Sequence, residues 1–174
     1  MHDVAHESAE LLLGPMLRHV GDGRATIWVE VDRACEVTVT AADHVASAPT
    51  WSVHGHHYCL VIVGGLPDGQ AIPYEVALDG RRVWPLEGSS YPPSLIRTSD
   101  GDGTYRISFG SCRRSAPFDD EHLDALGADA LVALADRMVG EGPAGWPDVL
   151  LLLGDQIYAD EPSEAIVERL HAAG

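Results

Sequence analysis

Apolar and polar residues alternate one by one over Thr26-Ile27-Trp28-Val29-Glu30-Val31 and again over Glu36-Val37-Thr38-Val39-Thr40. A period of two sends successive side chains to opposite faces of a strand. β-Branched and aromatic residues suit that pleated surface, so both runs predict strands with one buried and one wet face. Further β-type runs are Tyr58–Val63, Pro73–Leu78 and Arg82–Leu86, separated by Gly64-Gly65, Pro67-Asp68-Gly69 and Asp79-Gly80. Asp-Gly between two alternating runs signals a two-residue hairpin. Many short strands at this spacing predict a small antiparallel β-sandwich over residues 11–98.

The pattern changes at Ser99-Asp100-Gly101-Asp102-Gly103, a polar stretch with no apolar period, which predicts a domain boundary and a second domain over residues 104–174. Tyr105–Phe109 predicts a strand. Leu123, Leu126, Leu131, Leu134, Ala135 and Met138 then recur at roughly helical spacing, bounded or interrupted by Gly127 and by Gly140–Pro147. Val149–Leu153 is continuously apolar between Pro147-Asp148 and Gly154-Asp155, which fits a parallel strand covered on both faces. A last helix is predicted over Pro162–Ala173. Strand, helix, strand is a βαβ unit, the start of an α/β domain. Residues 105–174 supply two strands and two helices, enough to cover one sheet face, so the expectation is an incomplete domain that is prone to aggregate alone.

Composition narrows the partners. The chain has 174 residues with 11 Lys+Arg against 27 Asp+Glu, a formal charge of −16 that repels phosphate backbones and argues against a nucleic-acid partner. Hydrophobic residues make up 45%, enough for a folded core. No apolar run approaches the roughly 20 residues of a membrane span, so no membrane partner is expected. The start lacks a cationic region and Leu11-Leu12-Leu13 stops at Gly14-Pro15; with no export signal visible, a cytoplasmic location is expected. Cys35, Cys59 and Cys112 are odd in number and widely spaced, unlike a disulfide framework.

Candidate chemistry lies at the carboxyl ends of the two predicted parallel strands, where ligand groups gather in open α/β sheets. One loop reads Gly110-Ser111-Cys112-Arg113-Arg114 and the other Gly154-Asp155-Gln156-Ile157-Tyr158-Ala159-Asp160. If the strands are neighbours, Cys112 and Asp155 face one cleft. A carboxylate can bridge two cations, a phenolate three residues on can bind the same hard ferric ion, and Cys112 can add a thiolate. Taken singly, Asp155 is a turn or cap residue, Cys112 a small buried hydrophobe and Tyr158 a packing residue; their joint placement sets them apart. Arg113 and Arg114 could hold substrate oxygens in bidentate fashion or simply offset Asp119, Asp120 and Glu121. Asp160 and Glu161 read as a solvated loop end. The tract His54-Gly55-His56-His57 reads as an exposed strand edge, Cys35 and Cys59 as buried and inert, and Trp28, Trp51, Trp84 and Trp146 as packing residues.

Gly154-Asp155-x-x-Tyr158 after an apolar strand resembles a metal-binding motif of purple acid phosphatases, and Ser111-Cys112 after the preceding strand resembles the alkaline phosphatase D type of the same metallophosphoesterase superfamily. The resemblance covers roughly residues 12–160. It implies an all-β immunoglobulin/fibronectin-like sandwich ahead of an α/β metallophosphoesterase domain, with Cys112 and Tyr158 as ligands of ferric iron. Asp155 is then the catalytic bridge to a second, divalent metal, calcium in alkaline phosphatase D. The implied activity is hydrolysis of a small phosphate ester. The superfamily's later histidine-containing blocks do not follow residue 160, where His171 is the only histidine, so the expectation is an amino-terminal fragment that lacks the carboxy-terminal part of the phosphatase domain and is inactive alone. The competing expectation is a non-catalytic binding or adhesion module with a vestigial α/β piece.

Overall fold

The computed structural model describes residues 8–101, 103–113, 127–156, 158, 162 and 164–173. The chain divides into two compact units, Met1–Gly103 and Thr104–Gly174.

The first unit is an antiparallel sandwich. Its strands are β1 (Leu11–Gly21), β2 (Arg24–Val31), β3 (Glu36–Ala41), β4 (His44–Pro49), β5 (Trp51–Val53), β6 (His56–Gly64), β7 (Ala71–Leu78), β8 (Arg81–Trp84) and β9 (Leu95–Arg97). One sheet runs β1-β2-β6-β5 and the other β4-β3-β7-β8, with β9 on a second length of the β7 edge. Register places the apolar residues directly opposite one another. Ile27 faces Val61 and Val29 faces Cys59 in the first sheet, while Val37 faces Leu78 and Val39 faces Val76 in the second. All eight are buried in one cluster. Burying each aliphatic side chain is worth roughly 1.5–3 kcal/mol, so this layer is what holds the unit together.

The predicted hairpin at Asp79-Gly80 forms, with φ of 47° and 82° closing Leu78 onto Arg81. The same left-handed geometry recurs at Asp22-Gly23 and at His54-Gly55. His54 and Gly55 therefore make a turn, and β6 begins at His56, whose ring Nδ1 donates to Glu30 Oε1 at 2.7 Å. That bond accounts for a carboxylate almost out of solvent on the outside of a sheet. Gly14 (φ 94°) is needed where β1 crosses β2, because a Cβ there would lie 2.8 Å from the Trp28 carbonyl oxygen.

The expected wet outer face is present on both sheets, polar on one and apolar on the other. Outside the second sheet, Thr38 bonds Ser47 at 2.8 Å and Arg82 pairs with Glu75 at 3.2 Å. Outside the first, Met16 lies opposite Trp28 and Trp28 opposite Leu60, while Trp51 lies opposite Tyr58. The Trp28 and Tyr58 rings stand 5.9 Å apart and those of Trp51 and Tyr58 6.2 Å apart. Trp51 is thus an outward, exposed residue and not a core one. Trp84 packs against the core and donates its indole N–H to Ser94. Cys59 is buried in β6, whereas Cys35 is half-buried just before β3, and burial pushes its thiol up to about 11.

In the second unit β10 (Ile107–Gly110) and β11 (Val149–Leu152) pair in parallel, Ile107 with Val149 through Gly110 with Leu152. Helix α1 (Ala130–Glu141) and a 3₁₀ turn at Pro143–Gly145 lie between them in the chain, and helix α2 (Glu164–Ala173) follows. The strand–helix–strand order read from the sequence is present. Leu123 and Leu126, assigned to the first helix from their spacing, lie outside the described residues, and the helix starts later, at a cap formed by Asp129. Among the described residues no helix is long and apolar enough to cross a membrane.

Candidate functional site

The entry to the strand pair is pinned by polar groups. Asp148 Oδ2 accepts from the Arg106 backbone N–H at 2.8 Å, and the Asp148 N–H returns a bond to the Arg106 carbonyl at 2.8 Å. At the other end the parallel pairing continues past the strands into the two loops. Leu153 N–H donates to Gly110 O at 2.9 Å, Cys112 N–H to Gly154 O at 3.3 Å and Arg113 N–H to Asp155 O at 2.8 Å. The loops after β10 and β11 are thereby laced together by their own backbones.

This lacing brings Cys112 and Asp155 together across 43 residues of sequence: Cys112 Sγ lies 3.5 Å from Asp155 Oδ2. Tyr158 joins them, its hydroxyl 3.4 Å from the same oxygen. Both Cys112 (φ 53°) and Asp155 (φ 52°) hold left-handed backbone conformations. Outside turns, such strain in a non-glycine residue persists only where the surroundings over-determine it, and it concentrates at functional sites.

The electrostatics of the three groups favour a cation. Tyr158 is pushed up to about 12, first by its hydrogen bond with Cys112, then by loss of solvent and by the charge of Asp155. A thiol, a carboxyl and a phenol crowded on one point all lose protons to become ligands, and a cation would relieve the repulsion that now holds the phenol proton in place. One sulfur among oxygens is a mixed donor set that could hold a metal ion. Among the described residues no group of three or more His, Cys, Asp or Glu side chains gathers elsewhere, and this cluster contains two of those types plus a phenol.

Arg113, the proposed substrate contact, is already engaged. Its Nε lies 3.1 and 3.0 Å from the two carboxylate oxygens of Asp129, and its Nη2 lies 2.8 Å from Oδ2. The guanidinium holds the Asp129 carboxyl below the usual carboxylate range, and Asp129 in turn raises Arg113. Sequence reasoning missed Asp129. The signal was there: an Asp directly before a periodic apolar run is a helix N-cap, and its carboxylate accepts from the Leu131 and Val132 backbone N–H groups. Gln156 was missed as well; its side-chain amide donates to Gly154 O at 2.7 Å and bridges toward Gly110 O at 3.4 Å. A cleft of about 260 Å³ lies beside the cluster, lined by Ser111, Cys112, Arg113, Leu131, Leu134 and Gln156 among others. Arg114, Asp119, Asp120, Glu121, Asp160 and Glu161 lie outside the described residues.

Fold and site together define a protein with an antiparallel sandwich and a strand–helix–strand unit whose strand ends gather three potential metal donors. Residues 8–96, just over half of the chain, match the family model described as Domain of unknown function (DUF7800), and the chain belongs to that family. The match covers the sandwich and stops before Cys112, Asp155 and Tyr158. No curated protein and no solved structure matches the chain.

Proposed function

We propose that the second unit carries part of the metal centre of an alkaline phosphatase D-like metallophosphatase, which hydrolyses a small phosphate ester. The observation that carries this reading is the meeting of Cys112 Sγ and Tyr158 OH at one oxygen of Asp155, 3.5 and 3.4 Å away, from loops at the carboxyl ends of two parallel strands. The strand order of the sandwich, with β1-β2-β6 in one sheet and β4-β3-β7-β8 in the other, supports it. We read that order as the immunoglobulin/fibronectin-like domain that such phosphatases often carry ahead of the catalytic one.

In this reading Cys112 and Tyr158 would hold ferric iron, and Asp155 would serve both it and a second, divalent metal such as calcium. Two cations bound there supply Lewis acidity to the ester and neutralise the charge that develops on it. The protein's own part is positional. Backbone bonds from Cys112 and Arg113 fix both loops, the left-handed turns aim thiol and carboxyl at one point, and Tyr158 would bind as the phenolate. Arg113 borders the cleft next to Cys112 and is the proposed contact for phosphate oxygens, although Asp129 already answers much of its charge.

The test is metal analysis with visible absorption on the natural protein that carries this chain, alongside turnover of p-nitrophenyl phosphate. Bound iron, a phenolate charge-transfer band that disappears in Tyr158→Phe and a loss of at least about 100-fold in turnover in Asp155→Asn are expected. Iron-free protein without such a band removes the assignment. A second reading, a non-catalytic binding or adhesion module, is favoured by the apolar outer face of the first sheet, where Leu60, Ile62 and Trp51 are exposed. It predicts that Asp155→Asn leaves any hydrolysis unchanged.

A further inference from the structure

We propose that Asp129 is a positioning residue for the Cys112–Asp155–Tyr158 cluster, a role that rests on the metal-centre reading above. Asp129 is 5% exposed, one of two charged or polar residues buried among the described residues. Capping a helix does not require that burial, since a cap needs one oxygen and works at the surface. Here one carboxylate accepts from the Leu131 and Val132 N–H groups at 3.0 and 3.4 Å and also takes a two-pronged contact from Arg113. A charge held out of water is tolerated when paired and fully hydrogen-bonded, and the pairing then fixes geometry more than it adds stability.

What it fixes is the cluster. Arg113 immediately follows Cys112, and its backbone N–H donates to the Asp155 carbonyl. Asp129 thus grips a residue that ties the two donor-bearing loops together, and it does so from the N-cap of α1. The left-handed conformation of Cys112 needs such an external hold, because a cysteine, unlike an aspartate, has no side-chain preference for it. Outer-shell partners of this kind orient metal ligands, and their removal weakens metal binding about 10–100-fold.

The experiment uses cobalt(II) alone as the probe, followed by its thiolate absorption band, on the natural protein and on Asp129→Asn, with iodoacetamide labelling of Cys112 in metal-free protein as a second readout. Asn keeps a cap acceptor but loses the charge that holds Arg113. The expected result is unchanged helical circular dichroism, cobalt affinity lower by about 10–100-fold and faster Cys112 labelling. Should Asp129→Asn lose the helix, Arg113→Gln, which leaves the cap in place, is read on the same two measurements with the same expectation. The double variant should fall no further than either single one, because the pair acts as a unit. Native cobalt affinity in both single variants, with Cys112→Ser and Asp155→Asn abolishing it, makes Asp129 a helix cap only and overturns the proposal. Equal cobalt binding by native protein and Cys112→Ser overturns the metal-centre reading itself, and the positioning role falls with it.

Discussion

In the sandwich, Ile27, Val29, Val61 and Val76 are each 1% exposed or less, whereas in the second unit Leu150, Leu151 and Leu152 of β11 stay between 43% and 50% exposed and Phe109 of β10 reaches 73%. The two units use similar apolar residues differently. Two facing sheets give every inward side chain of the sandwich a partner across the layer, so burial does the holding. The strand pair β10–β11 is ordered at its ends by polar contacts: Arg106 with Asp148 at one end, the laced loops and the Arg113–Asp129 pair at the other. Apolar burial is concentrated in one unit and candidate chemistry in the other. The family match covers only the first.

The largest test of that contrast is a pair of truncations. Ile27→Ala in the sandwich core should cost about 2–5 kcal/mol, and Leu151→Ala in β11 less than about 1 kcal/mol, both read as shifts in urea midpoint. Equal costs would break the distinction. A smaller effect is expected in acid. Because the folded state holds the Asp129 carboxyl below its unfolded value, its contribution is present above about pH 4 and is lost as pH falls through the lower, folded value. An acid-induced loss of helical signal that shrinks in Asp129→Asn would sharpen the picture; an identical acid profile in the variant would contradict it. The smallest effect concerns reactivity and leaves stability untouched. Exposed Cys112 should be alkylated first near neutral pH, half-buried Cys35 only as pH approaches its raised value of about 11, and buried Cys59 last. Quantitative labelling read by mass spectrometry gives the order, and Cys35 reacting ahead of Cys112 would show that its burial is not maintained in solution.

Legibility in the sequence followed the regularity of the pattern. Strands β2, β3, β6 and β7 were visible because every second residue is a Val, Ile, Leu, Ala, Tyr or Cys bound for one shared layer. Strand β1 was blurred by three register shifts and by Gly14-Pro15, which break the period of two. Strand β4, His-Val-Ala-Ser-Ala-Pro, faces the core with small alanines and carries little apolar signal. The apolar outer face of the first sheet is also hidden in the sequence: Trp28 sits at an outward position of an alternating run and Leu60 in a run that is apolar throughout, and only the pairing of four strands shows that these positions add up to one surface.

The sequence by itself determined the sandwich, since a period of two with hairpin residues between runs leaves few other ways to bury so many β-branched side chains. It also determined the identity of the three candidate donors, each in a short loop after a strand. Their meeting was decided by tertiary structure alone. Which residue of β11 lies beside which residue of β10 is a matter of parallel register, and that register, carried on by backbone bonds into the loops, is what sets a sulfur and a phenol against one carboxylate oxygen. The grip of Asp129 on Arg113 belongs to the same level. A carboxylate among 27 acidic residues becomes distinctive only when folding takes it out of water and pairs it with Arg113.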